Sequence, residues 1–136
     1  MKISIFLVLA ALPFAACKKE ITEVRQVDQA FSATYTLNAG GWTTSNGGQS
    51  YSTSLTVPEL DDLILNDGAV IVYLSFDNGV SFEALPEVFD GIAYGSIHEI
   101  GLITIDLQAS DGSGAVISAP SGTILAKVVL IDATPI

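Results

Sequence analysis

Apolar and polar side chains alternate with a period of two over most of the chain after Val27. Phe31, Ala33, Tyr35 and Leu37 alternate with Ser32, Thr34 and Thr36, and Tyr51, Thr53, Leu55 and Val57 alternate with Ser52, Ser54 and Thr56. Neighbouring strand residues point to opposite sides, so this pattern predicts two half-buried strands with hydroxyl-bearing outer faces. Asn38 to Gln49 lies between them, Gly-rich and polar with one tryptophan, and is expected to be a long hairpin connection. A short helix is predicted over 58–66. Pro58 suits its first turn, Glu59, Asp61 and Asp62 complement the N-terminal dipole, and Gly68 can stop it in a left-handed conformation. Leu60, Leu63 and Ile64 would form the stripe that docks it on a sheet.

Ala69 to Phe76 is apolar on both faces, as expected of a central strand covered on each side. Asp77-Asn78-Gly79 is a hairpin signal, because Asn-Gly tolerates the positive φ of a tight turn. Val80 to Leu85 should return with Val80, Phe82 and Ala84 inward, and Pro86 closes that strand by withholding a donor. Strands are further predicted at Ile92 to His98 and Gly101 to Ala109, with a short edge strand at Ala115 to Ser118 and a central last strand at Ile124 to Ile131. Turns fall at Ser110 to Gly114 and Pro120 to Gly122. Seven or eight short strands with one minor helix predict an all-β, antiparallel two-sheet sandwich of immunoglobulin-like or related Greek-key topology. A small closed barrel fits the same periodicity.

The first residues follow another logic. Met1-Lys2 is a small positive start, and Ile3 to Ala16 is uncharged and apolar. A helix needs about 20 such residues to cross a bilayer, so this stretch reads as a signal peptide. It ends in Phe14-Ala15-Ala16-Cys17, at the only cysteine of the chain. These residues resemble the lipobox of bacterial lipoproteins, with Phe14 in the place usually held by leucine. The resemblance implies cleavage before Cys17 and acylation of that residue with diacylglycerol and palmitate. The chain would then attach to a bilayer, in an outer-membrane location facing either the periplasm or the outside. One acyl chain binds a membrane marginally, whereas two or more hold stably. An ordinary secretory signal with a nearby cysteine is the alternative. Lys18 to Gln26 is charged and lacks an apolar period, so the organisation expected is signal peptide 1–16, lipidated cysteine and tether 17–26, and β-sandwich 27–136.

At 136 residues the chain allows one domain. Fifteen Asp and Glu against five Lys and Arg argue against a nucleic-acid partner, which requires clustered basic residues. Removing residues 1–16 takes away one basic residue and no acid, leaving a net charge of −11. Such a surface repels anionic headgroups, so attachment must rest on the acyl chains. Val57 to Pro86, with its "DGAVIVYL" strand and "LP" close, and the terminal Lys127 to Ile131 resemble small lipoproteins of Bacteroidota, a likeness that brings no assigned activity.

Candidate chemistry is sparse. His98 has Ser96 and Glu99 near it in sequence, but His98 and Glu99 should point to opposite faces of a strand, and no nucleophile elbow is present. One histidine and one cysteine do not build a transition-metal site, and no cofactor is expected. Asp61, Asp62, Asp67, Asp77, Asp90 and Asp111 could offer oxygens to calcium, but they sit where Asp forms turns and caps. Trp42 is the candidate ligand contact, to a sugar or a protein partner, or else it folds back on the core. Phe76, Phe82 and Phe89 read as core, and Tyr94 as core or cross-strand filler. Three functions fit: a non-enzymatic envelope module that binds or organises something, a small hydrolase using His98 with acids such as Asp77 and Asp111, and a self-associating surface protein.

Overall fold

A computed structural model describes residues 30–133, so the expectations for the signal peptide, Cys17 and most of the tether lie outside the described residues. Eight strands form two antiparallel sheets. They are β1 (Ala30–Leu37), β2 (Ser50–Thr56), β3 (Ala69–Ser75), β4 (Glu83–Ala84), β5 (Glu87–Phe89), β6 (Ile92–Glu99), β7 (Leu102–Ala109) and β8 (Ile124–Ile131). One sheet has the order β1-β8-β3-β4 and the other β2-β7-β6-β5. This is the predicted two-sheet sandwich, and the last strand is interior as expected. β1 and β2 lie in different sheets, as do β4 and β5, so the barrel is excluded.

Alternation places the core. Val72 and Leu74 of β3, Ile103, Ile105 and Leu107 of β7, and Ala126 and Val128 of β8 are almost fully buried between the sheets. Register agrees with this, since Val72 lies opposite Val128 and Thr53 opposite Ile105. The two outer faces differ. That of the second sheet is polar, with Ser54 and Thr104 hydrogen-bonded at 3.2 Å. That of the first carries Ile71, Tyr73, Leu125, Lys127 and Val129, all half-buried. The covering layer expected over β3 is thus missing among the described residues; flanking side chains shield one another instead.

Several local expectations are corrected. Asn38 to Gln49 is not a hairpin connection but carries the chain from one sheet to the other. Alternation marks which side of a strand is buried, not which strand lies beside it. Within this loop Thr43 exchanges two backbone hydrogen bonds with Ser52, at 2.9 and 2.8 Å, and so lies along the outer edge of β2. The helix α1 runs over Asp62–Asp67, later than predicted, because Asp61 is its cap: the Asp61 carboxylate accepts from the Ile64 amide at 2.9 Å. Leu60 and Ile64 are buried, but Leu63 is 58% exposed. Gly68 has φ −92° and is not a left-handed stop. It is required by close approach, since a Cβ there would strike the Ile131 carbonyl oxygen.

Asn78 and Gly79 do take positive φ, 61° and 87°. The turn is longer than predicted, however, because Asp77 organises it. Its carboxylate accepts from the Ser75 hydroxyl at 2.7 Å, the Ser81 amide at 2.9 Å and the Ser81 hydroxyl. Pairing resumes only at Glu83 opposite Leu74 and Ala84 opposite Tyr73. That register sends Ala84 and Phe82 to the outer face, where the Lys127 ammonium lies 4.4 Å from the Tyr73 ring centre and 4.5 Å from that of Phe82. Val80, predicted inward, is 87% exposed. Ala115 to Ser118 is not a strand: its one backbone hydrogen bond to a distant segment runs from the Ile117 amide to the Gly48 carbonyl at 2.9 Å, and the Ile117 side chain packs against the core. The eighth strand is instead β5, after Pro86.

Candidate functional site

At the end of the sandwich where β3, β5 and β6 meet, three aromatic rings gather. Phe76 follows β3, Phe89 ends β5 and Tyr94 lies in β6. Phe76 and Phe89 stack with ring centres 4.2 Å apart and planes 4° from parallel, and Tyr94 meets Phe76 edge-on at 5.2 Å. Tyr94 is core, as one of its two readings held. Phe89 is not, being 44% exposed. β5 pairs with β6 over three positions only, so its last residue has sheet on one side and open space on the other. The rings line a groove of about 350 Å³ together with residues 118–123. Asp90, Ser118, Ser121 and Thr123 bring a carboxylate and hydroxyls to this lining. A lining that combines aromatic rings with acceptors and donors suits a ligand that has one apolar face and polar edges.

Beside the rings is an acidic pair. Glu87 lies opposite Tyr94, and Glu83 opposite Leu74, so both aim between the sheets at their short edge strands. Both carboxyl oxygens of Glu87 are buried without a hydrogen-bond partner at ordinary geometry. Burial pushes Glu87 up to about 7, helped by the neighbouring Glu83 carboxyl, which repels its charged form and favours its protonated one. Burial, with Glu87 and Asp90 behind it, also raises Tyr94. Because the folded-state pKa of Glu87 exceeds its unfolded value, its contribution to stability is present below about pH 4.5 and is lost as pH rises through about 7. Glu87→Gln keeps the shape and cannot ionise. Its melting temperature is expected to exceed that of the unsubstituted chain by a few degrees at pH 8 and to match it at pH 5. A variant that melts lower at pH 8 would show that the charged carboxylate is stabilising.

The residues singled out in the sequence are scattered. His98 lies opposite the buried Ile103 and thus faces the sandwich interior, with its Nε2 3.0 Å from the Ser96 hydroxyl. Burial lowers its pKa. Glu99 is exposed on the opposite side of the strand, so no carboxylate stands behind the imidazole and the Ser96–His98 pair is not a hydrolytic triad. Asp77 and Asp111 are exposed turn formers. Bonds from Ser81 and Ser75 lower Asp77 to about 2, and bonds from Ser113 lower Asp111. Among the described residues no group of three His, Cys, Asp or Glu could hold a metal ion. Trp42 is 7% exposed within the core cluster, and its Nε1 has no hydrogen-bond partner. Its ring therefore offers little face to a sugar.

The sequence reading missed Glu83, Glu87 and the Phe76–Phe89 stack. The sequence held no signal for the acidic pair: the expected alternation, with Phe82 and Ala84 inward, points Glu83 outward, and only the observed register turns it inward. Comparison of this chain with protein-family models, with curated proteins and with solved structures returned no match.

Proposed function

We propose that this protein is a cell-envelope lipoprotein, held to the outer membrane through acylated Cys17, whose sandwich binds a glycan without chemically changing it. The observation that carries the binding reading is the end groove, where the exposed ring of Phe89 is stacked on Phe76 beside Asp90 and the hydroxyls of Ser118, Ser121 and Thr123. A sugar ring has apolar C–H faces and a polar equator, and aromatic side chains with adjacent hydroxyls and carboxylates match both. The anchor rests on Phe14-Ala15-Ala16-Cys17. No helix among the described residues is long and apolar enough to cross a membrane, so acyl chains are the attachment this reading requires.

The test is calorimetric titration of the full chain, in non-ionic detergent, with envelope oligosaccharides, beside a Phe89→Ala variant. Phe89 is far enough from the core that its removal should spare the fold, and stacking is worth about 1 kcal/mol. Affinity is therefore expected to fall roughly 5- to 10-fold. Equal affinity of the two proteins, or no binding by either across envelope glycans, would overturn the reading.

A further inference from the structure

The two sheets end in edges that are not equally guarded. β2 has Thr43 bonded along its outer side, and β4 and β5 are only two and three residues long. β1 is different. It is eight residues long and pairs with β8 without interruption from Ala30 opposite Ile131 to Leu37 opposite Ile124. Among the described residues its other side carries no strand. Ala30 to Leu37 contains no charge, no proline and no glycine, and the unbroken register leaves no bulge. Charge, proline and bulges are devices by which edge strands avoid pairing with another chain, and Ala30–Leu37 has none of these three.

A second observation lies beneath the same strand. Phe31 is 46% exposed although it faces the interior, and an open groove of about 220 Å³ runs past it. Phe31, Ala33 and Tyr35 line it from β1, Val57 and Glu59 from the other side. An added strand would have unpaired backbone to bond to and an apolar slot for alternate side chains.

We propose that β1 is a dimerisation edge, at which a second copy of this chain adds its own β1 antiparallel and joins the two four-stranded sheets into one of eight. The sequence of the strand is self-complementary about Thr34. With the two-fold axis there, Phe31 meets Leu37 of the second copy and Ala33 meets Tyr35, so large side chains face smaller ones on the inner side. On the outer side Thr34 meets Thr34 and Ser32 meets Thr36, pairings of hydroxyls that favour antiparallel strands. Charge selects the same edge. The described residues hold twelve acids and one lysine, so two copies repel over most of their surfaces, whereas this strand brings no charge to the contact. Glu59, in the groove below Tyr35, is the nearest acid the geometry identifies.

Cysteine cross-linking of the full chain in non-ionic detergent tests this placement. Antiparallel partners lie about 4.5–5.5 Å apart at Cα, within disulfide range. On a Cys17→Ser background, Thr34→Cys should form a covalent dimer on mild oxidation, whereas Ser32→Cys, whose partner is Thr36, and the Cys17→Ser parent should not. Both positions are exposed on the outer face, and circular dichroism checks the fold. In sedimentation, the unsubstituted chain should show the protein mass of two copies, and Thr34→Lys, which opposes two ammonium groups at the axis, should lower the dimer fraction at least 10-fold. A monomeric chain, cross-linking of both cysteine variants alike, or a Thr34→Lys dimer as strong as the original would each overturn the proposal. So would protection from exchange, in a monomer, of those β1 amides that point away from β8, which would show that another segment covers the edge.

Discussion

A Cys17→Ser chain is expected to leave the membrane fraction and appear in the soluble fraction, with the fold unchanged. The effect is close to all-or-none because of how acyl anchors add. Each buried methylene contributes about 0.8 kcal/mol, so one chain holds weakly and two or more hold for practical purposes permanently. Serine cannot form the thioether, so all chains are lost together. The net charge of −11 that removal of residues 1–16 would leave opposes retention on anionic headgroups in their place. The sandwich begins at Ala30 and needs no cysteine, so its melting temperature should match that of the unsubstituted chain. Fractionation of cells with detergent-phase partitioning reads the result, and mass spectrometry of the mature N-terminus reads the acylation directly. A serine variant that stays with the membrane would show that something other than lipid attaches it.

Gly68→Ala is expected to destabilise the fold by about 3 kcal/mol, the upper end of what overpacking a tight site costs. The expectation does not come from backbone conformation, since φ is −92° and alanine tolerates that value. It comes from space. The Gly68 amide donates to the Ile64 carbonyl at 3.1 Å, which pins the residue against the end of α1 as the chain enters β3. A Cβ would strike the Ile131 carbonyl oxygen and sit 2.9 Å from that of Ile64. Both obstacles are backbone, one in a helix and one in an interior strand, so neither can swing aside as a side chain does. At about 4 °C or more per kcal/mol for a domain of this size, the melting temperature should fall by roughly 10 °C or more. Gly40→Ala is the control: nothing lies within 4 Å of a Cβ there, and stability should change by less than about 1 kcal/mol. Equal melting temperatures for the two variants would mean that the strand end yields easily.

Each of these effects tests a different kind of information. The expectation of a lipid anchor rests on a local motif, Phe14-Ala15-Ala16-Cys17, which is readable in four consecutive residues. The strands were legible for a similar reason. Ile103, Ile105 and Leu107 alternate with Thr104, Asp106 and Gln108, and a pleated strand has no other way to bury three of them. The β4 return failed because Asp77 recruits Ser75 and Ser81 into the turn, and one change of parity moves Phe82 from the inner face to the outer. Of the candidate site, Tyr94 was read as core or cross-strand filler and is core, but the exposed stack of Phe89 on Phe76 was not foreseen. That stack depends on how far β5 extends beside β6, which is a tertiary quantity.

The amino-acid sequence by itself determined that this chain is a β-sandwich, where its long strands β1, β2, β3, β6, β7 and β8 run, and which sides of most of them face inward. These follow from a period of two and from turn residues, both readable within a few positions. Only the tertiary structure decided that β8 lies between β1 and β3, that Trp42 closes into the core, that the Glu87 carboxyl is buried beside Glu83, and that β1 is an open edge among the described residues. Those outcomes are choices among distant partners of similar apolar character. They are settled by the packing of both sheets at once, and no short stretch of sequence carries that information.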